Sequence, residues 1–206
     1  MTPCVRTGCV LCLGAIAGIA GFAGADTIGQ PTINVFFSPH GGYEKDATKC
    51  VDEVVQQLKD ARATVFVRAY GFTSEPIRDA LIAARERGLS VGIICDRSER
   101  KNPHSIAPAC IKAGCNVTFD DNHPISHSKV LVIDGMTSIV GSYNWTANAE
   151  KNAETMLVIR DRVTARKLLD DWKHHKEHST AAKDKDLSYW ENLGHPEKLG
   201  EAYVQP

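Results

Sequence analysis

The chain's 206 residues are 43% hydrophobic and 24% charged, with a formal net charge of −1 and a pI near 6.7. That length holds one domain with a real core and falls short of two, and the composition excludes disorder and collagen-like repeats. No bulk positive field draws the chain onto nucleic acid or an anionic membrane, so any polyanion has to be gripped by a local patch.

The N-terminus has the three-part layout of a secretory signal. Met1 to Thr7 is polar with one cation, Arg6, Gly8 to Ala23 carries no charge, and Ala23-Gly24-Ala25 forms a small-x-small cleavage site before Asp26. The apolar run of about 16 residues is short of the roughly 20 that span a bilayer. Residues 1–25 are therefore read as a cleaved signal, with a retained anchor as the alternative, and the mature protein as periplasmic or secreted without stable membrane association. A lipoprotein cysteine is disfavoured, because Arg6-Thr7-Gly8 before Cys9 lacks an apolar lead-in. Cleavage removes Cys4, Cys9 and Cys12 and leaves Cys50, Cys95, Cys110 and Cys115. An even number in an oxidising compartment allows three pairings, and the sequence does not choose among them. Only Cys110 and Cys115 are close, so disulfides or free buried thiols are expected rather than a zinc site built on paired cysteines.

Thr32 to Phe37 is a β-branched and aromatic run ended by turn residues, hence a strand. Ala47 to Ala61 places Val51, Val54, Val55 and Leu58 at helical spacing. Thr64 to Tyr70 reads as a strand, and Ser74 can cap a helix from Glu75 to Arg87 that Gly88 stops. Leu89 to Cys95 is a nearly continuous apolar strand, Pro103 to Ala113 a helix, and Asn116 to Phe119 a short strand. Lys129 to Ile133 and Thr137 to Val140 form a hairpin about Asp134-Gly135-Met136. A strand from Thr155 to Arg160 and a helix from Val163 to about Glu177 follow. Residues 179–206 read as a loosely packed polar tail with Trp190 and Tyr203 as isolated anchors. The alternation predicts an α/β fold with a mixed, mainly parallel central sheet flanked by helices on both faces.

The hairpin carries His127-Ser128-Lys129, four residues, Asp134, six more residues, then Gly141-Ser142 and Asn144. The first three positions alone would arise by chance in roughly three sequences per hundred; the whole constellation falls to the order of a few per million. Side chains two apart on a strand share a face, so His127 and Lys129 can reach one phosphate together. Imidazole attacks phosphorus when neutral and donates a proton when charged, both near neutral pH. Lysine supplies fixed positive charge, and Ser142 and Asn144 supply further donors to the nonbridging oxygens.

These residues resemble the phospholipase D superfamily, whose pattern HxKx4Dx6GSxN runs here from His127 to Asn144 without a gap. The layout is similar to the small single-motif bacterial endonucleases of the Nuc type over residues 32 to 177. The resemblance implies a covalent phosphohistidine, a second histidine protonating the leaving group, and no metal or other cofactor. It also implies a carboxylate behind the nucleophile, for which Glu154 is the candidate, while Asp134 at the hairpin turn reads as support for the motif. On this reading residues 26–178 are the catalytic domain. The other His-x-Lys, His174-His175-Lys176, is followed by Ala181 where an acid is needed, so the chain holds one copy. A two-fold homodimer that brings two copies together completes the site, as the resemblance also implies.

Arg97, Arg100 and Lys101 form a basic loop after a strand, where loops line the ligand crevice, and are the candidate nucleic-acid contacts. No interleaved aromatic stripe points to base readout, so cleavage of nucleic acid without sequence preference is expected. A phosphatidyl hydrolase would need an apolar rim near the site, and none is evident. A non-cutting phosphodiester-binding protein would carry an altered motif, whereas here every position is filled. His123 with His127 and His174 with His178 imitate metal-ligand spacing. Pro124 interrupts the first pair and charged neighbours solvate the second, so no metal site is expected.

Overall fold

A computed structural model describes residues 30–39 and 49–193. The expected signal peptide, its three cysteines and Tyr203 lie outside the described residues. In chain order the elements are β1 (Thr32–Ser38), α1 (Cys50–Asp60), β2 (Thr64–Ala69), α2 (Glu75–Glu86), β3 (Ser90–Asp96), a 3-10 turn at Arg97–Lys101, α3 (Ala107–Lys112) and β4 (Asn116–Asp120). Then come β5 (Lys129–Ile133), β6 (Thr137–Gly141), a 3-10 turn at Ala147–Glu150, β7 (Glu154–Arg160), α4 (Arg162–His178) and α5 (Asp184–Glu191).

The seven strands form one mixed sheet in the order β1-β7-β6-β5-β2-β3-β4. Parallel pairing is confined to β2, β3 and β4; the other neighbours are antiparallel. The sheet is mixed as expected, but four of its six strand pairs are antiparallel where a mainly parallel sheet was expected, and β1 does not take the place beside β2. The hairpin strand β5 takes that place, with Val65 opposite Ile133. Burial explains the exchange: β5 is almost wholly buried and belongs in the middle of the sheet, whereas β1 is mostly exposed and sits at an edge.

Helices α1 and α2 pack together through apolar stripes that include Val54, Leu58, Ile77 and Leu81. Across the sheet, α4 lies over β2 to β6. Trp172 of α4 stacks 4.7 Å from Phe66 and donates to Val67 O at 2.9 Å. Gly92 makes room for that ring, since a Cβ there would lie 2.8 Å from it. On the same face, beyond α4, Ile33, Val35 and Phe37 of β1 remain 58%, 49% and 60% exposed.

Two further expectations change. The chain after His178 is packed rather than loose as far as it is described. Thr180 and Phe119 exchange backbone hydrogen bonds, and α5 buries Asp186, Tyr189 and Trp190. The helix expected from Pro103 shortens to α3, because Asn102 accepts from His104 N through its Oδ1 and from Ser105 N through its carbonyl, closing a turn where the helix was to begin. Cys50, Cys95, Cys110 and Cys115 are buried free thiols.

Candidate active site

Antiparallel pairing gathers the motif at one end of the sheet. Ala69 at the end of β2 is opposite Lys129 at the start of β5, Val140 pairs with Val130, Gly141 with Met156, and Ser38 with Glu154. Thus the end of β2, the start of β5, the end of β6 and the start of β7 converge. Lys129 is buried, and its Nζ donates to His127 O at 3.0 Å while lying 4.9 Å from the centre of the Tyr70 ring. The exposed His127 ring rests 4.4 Å from the same Tyr70 ring. Burial pushes the Lys129 ammonium down from its usual range, and the charge of Glu154 opposes that shift. A poorly solvated cation gains more from an arriving phosphate than one in bulk water.

The segment after β6 alternates. Tyr143 and Trp145 point into the core while Ser142 and Asn144 stay accessible. Trp145 Nε1 donates to Arg68 O at 2.9 Å, and its carbonyl accepts from Thr73 N and Ser74 N. Tyr143 Oη donates to Glu150 Oε1 at 2.6 Å. Gly141 is dictated by close approach: a Cβ there would lie 2.1 Å from Thr155 O. Ser142 Oγ accepts from Thr155 N at 3.1 Å, so its own hydrogen is available to a ligand. Asn144 Oδ1 is buried without a partner.

The remaining candidates separate. Glu154 accepts from Asn152 Nδ2 at 3.2 Å and acts electrostatically on Lys129; no hydrogen bond joins it to His127 among the described residues. Asp134 lies at the opposite end of β5, in the hairpin turn, and accepts from the backbone N–H groups of Arg62, Ala63 and Thr64. Its role is to fasten the hairpin to the chain entering β2. Arg97 and Lys101 are exposed, but Arg100 is not a surface contact. It is buried, paired with Asp121 and Asp186, and stacked 4.3 Å from the centre of the Phe119 ring. That corrects the basic-loop expectation, since a guanidinium so enclosed holds α5 to the sheet. Ile125, 59% exposed two residues before His127, and Phe37, opposite Thr155, put apolar surface near the motif, where none was expected.

The family model described as "Cardiolipin synthase, PLD-like domain" matches residues 54–176, well over half of the chain. The chain belongs to the phospholipase D superfamily. With that family it is a hydrolase of phosphodiester bonds. Phospholipase D of Rickettsia prowazekii (strain Madrid E) is 34% identical over 155 residues, 75% of this chain and 72% of its own. The mitochondrial cardiolipin hydrolase of Homo sapiens is 27% identical over 135 residues, 65% of this chain and 51% of its own. Among solved structures, the phospholipase D family member Nuc from Salmonella typhimurium aligns with a TM-score of 0.66 at 29% identity. That alignment covers 73% of this chain and 97% of Nuc.

Two residues of this phospholipase D-like site went unread in the sequence. Tyr70 lies beneath both His127 and Lys129. Buried Asp96 accepts from Ser126 N at 2.7 Å and fixes the approach to His127. The available signal was their position, each at the carboxyl end of a predicted strand.

Proposed function

We propose that the chain is an exported, metal-independent endonuclease that cleaves DNA without sequence preference at a site shared by two chains. The reading is carried by His127 and Lys129 lying together against Tyr70, with one such set per chain. His127 attacks phosphorus, forming a P–N bond as the P–O bond to the leaving group breaks. The partner's His127 gives its proton to the departing oxygen, then takes one from the water that attacks phosphorus and frees the first histidine. Lys129, Ser142 and Asn144 bind the nonbridging oxygens, whose charge grows in the transition state. Glu154 favours the charged forms of the cationic groups around it.

Nucleic acid as substrate is supported by a groove of about 770 Å³ beside Thr146, two residues from Asn144. Arg78, Asn102, His104, Ser105 and Asn148 line it with groups that hydrogen-bond to phosphate and sugar. A phosphatidyl-group hydrolase is the second reading, favoured by the relatives named phospholipase D and by exposed Ile125 and Phe37.

The test incubates the secreted protein, whose N-terminal sequence is expected to begin at Asp26, with plasmid and with labelled cardiolipin vesicles, each in millimolar EDTA. Nicked plasmid and intact lipid are expected. Lipid turnover with intact plasmid would replace the reading, and DNA cleavage lost in EDTA and restored by magnesium would contradict its chemistry. Vanadate, a mimic of the five-coordinate phosphorus, is expected to inhibit.

A further inference from the structure

At the same end of the sheet as the phosphate site but outside it, four potential ligands converge where β4 ends against the last turns of α4. The Asp120 carboxylate is fully buried there and accepts from the backbone N–H of Asn122 and His123 at 3.1 and 3.2 Å. Its Oδ2 lies 2.9 Å from His123 Nδ1 and 3.1 Å from His175 Nδ1, and its Oδ1 lies 3.6 Å from His178 Nε2. The three ring centres stand 4.9 to 5.1 Å apart, and one donor atom from each of the four residues lies within 4.8 Å of the others. His178 Nε2 is buried without a hydrogen-bond partner, although it faces this carboxylate. The helix therefore brings a buried, unpartnered nitrogen to a place already holding two imidazoles and an anion. Four ligands 2.0–2.1 Å from a tetrahedral ion stand about 3.4 Å from one another. The Asp120–His separations already bracket that spacing, and small side-chain rotations bring in the rest.

We infer that Asp120, His123, His175 and His178 form a binding site for a divalent transition-metal ion, with zinc the best match. Three imidazole nitrogens and one carboxylate oxygen suit zinc, whereas magnesium and calcium take oxygen-rich sets. The surroundings have the outer support such sites use. His175 Nε2 faces Asp171 Oδ1 at 3.7 Å, and Asp171 is itself paired with Arg68. The rings of His123, His175 and His178 keep 40%, 14% and 23% of their surface, which leaves solvent a way in. The ion staples α4 to the segment that opens with Asp120 and His123 and leads to His127. It is a structural ion rather than a participant at phosphorus, because none of its ligands belongs to the cluster around Tyr70.

The test uses the tag-free full chain, stripped of metal, equilibrated with equimolar zinc and desalted. One zinc per chain is expected by elemental analysis, with a rise in Tm, and cobalt in its place is expected to give the intense visible absorption of a four-coordinate ion. Magnesium is expected neither to bind nor to compete. His178→Gln and His175→Gln are each expected to weaken zinc binding about 100-fold or more, beyond what loss of outer support costs. His174→Gln, on the same helix and outside the set, is expected to bind as the wild type does. Zinc that washes out of the wild type, or that His178→Gln retains equally well, overturns the proposal. Should a variant fail to fold, the stoichiometry and the cobalt spectrum of the wild type decide alone.

Discussion

Asp134 stands inside the phosphodiesterase motif and works through the backbone. Burial alone would raise its carboxyl, but the N–H groups of Thr64, Arg62 and Ala63 outweigh burial and hold it below the usual carboxylate range. A carboxylate depressed in this way adds stability above its unfolded value near 4, and that contribution is lost as pH falls through the lower folded value. The residue also sits at φ 53, a conformation Asp and Asn tolerate better than Ala. Asp134→Asn, which keeps an acceptor for Ala63 N and Thr64 N, is expected to cost about 1 kcal/mol, and Asp134→Ala about 3. Denaturant melts should place the two in that order, with the gap to wild type narrowing below about pH 4. Equal losses that do not depend on pH would count against this role. The spacing from His127 to Asn144 was readable as a motif, although of His127, Lys129, Ser142 and Asn144 only Lys129 lies within a strand. Tyr70 was not, since its place under His127 and Lys129 arises only when β2 pairs with a strand far along the chain.

Among the elements, α5 depends most on a single residue. Arg100 binds Asp121, Asp186, the Ala181 carbonyl and Thr180, so its loss leaves the nearly inaccessible carboxylate of Asp186 without its ion-pair partner. Arg100→Ala is expected to destabilise the protein by about 3–5 kcal/mol. DNA affinity per folded molecule should hold, as read by thermal melts beside a binding titration. Weaker binding at unchanged Tm would return Arg100 to the substrate surface. Most helices and strands were legible as hydrophobic periods, and their boundaries moved little. What the periods did not contain was partner choice. An exposed strand such as β1 and a buried one such as β5 look alike as short apolar runs, and only burial of the whole sheet sorts them into edge and centre. The histidines behaved similarly: the sequence offered His123 with His127 and His174 with His178, whereas folding joins His123 and His178 with His175 and Asp120.

At the scale of the whole molecule, one chain holds one His127–Lys129 set, and the proposed chemistry needs two histidines on opposite sides of phosphorus. For the proposed dimer, the exposed face of β1 is the candidate contact. Ile33, Val35 and Phe37 line up along the edge strand, with Leu157 and Ile159 of β7 beside them on the same face. Val35→Glu is expected to shift the protein to monomer in sedimentation, and activity is expected to fall in step with the dimer lost. A monomeric Val35→Glu with full activity would remove the need for a partner. The decisive measurement uses a dimer purified through two different tags, one chain wild type and the other His127→Ala. Its composite site keeps a single histidine, which can serve as nucleophile or as acid but not as both, and losing a general acid alone costs about 10²–10⁴-fold. The mixed dimer is predicted to cleave DNA far below half the wild-type rate; half the wild-type rate would mean that each chain carries a complete site of its own.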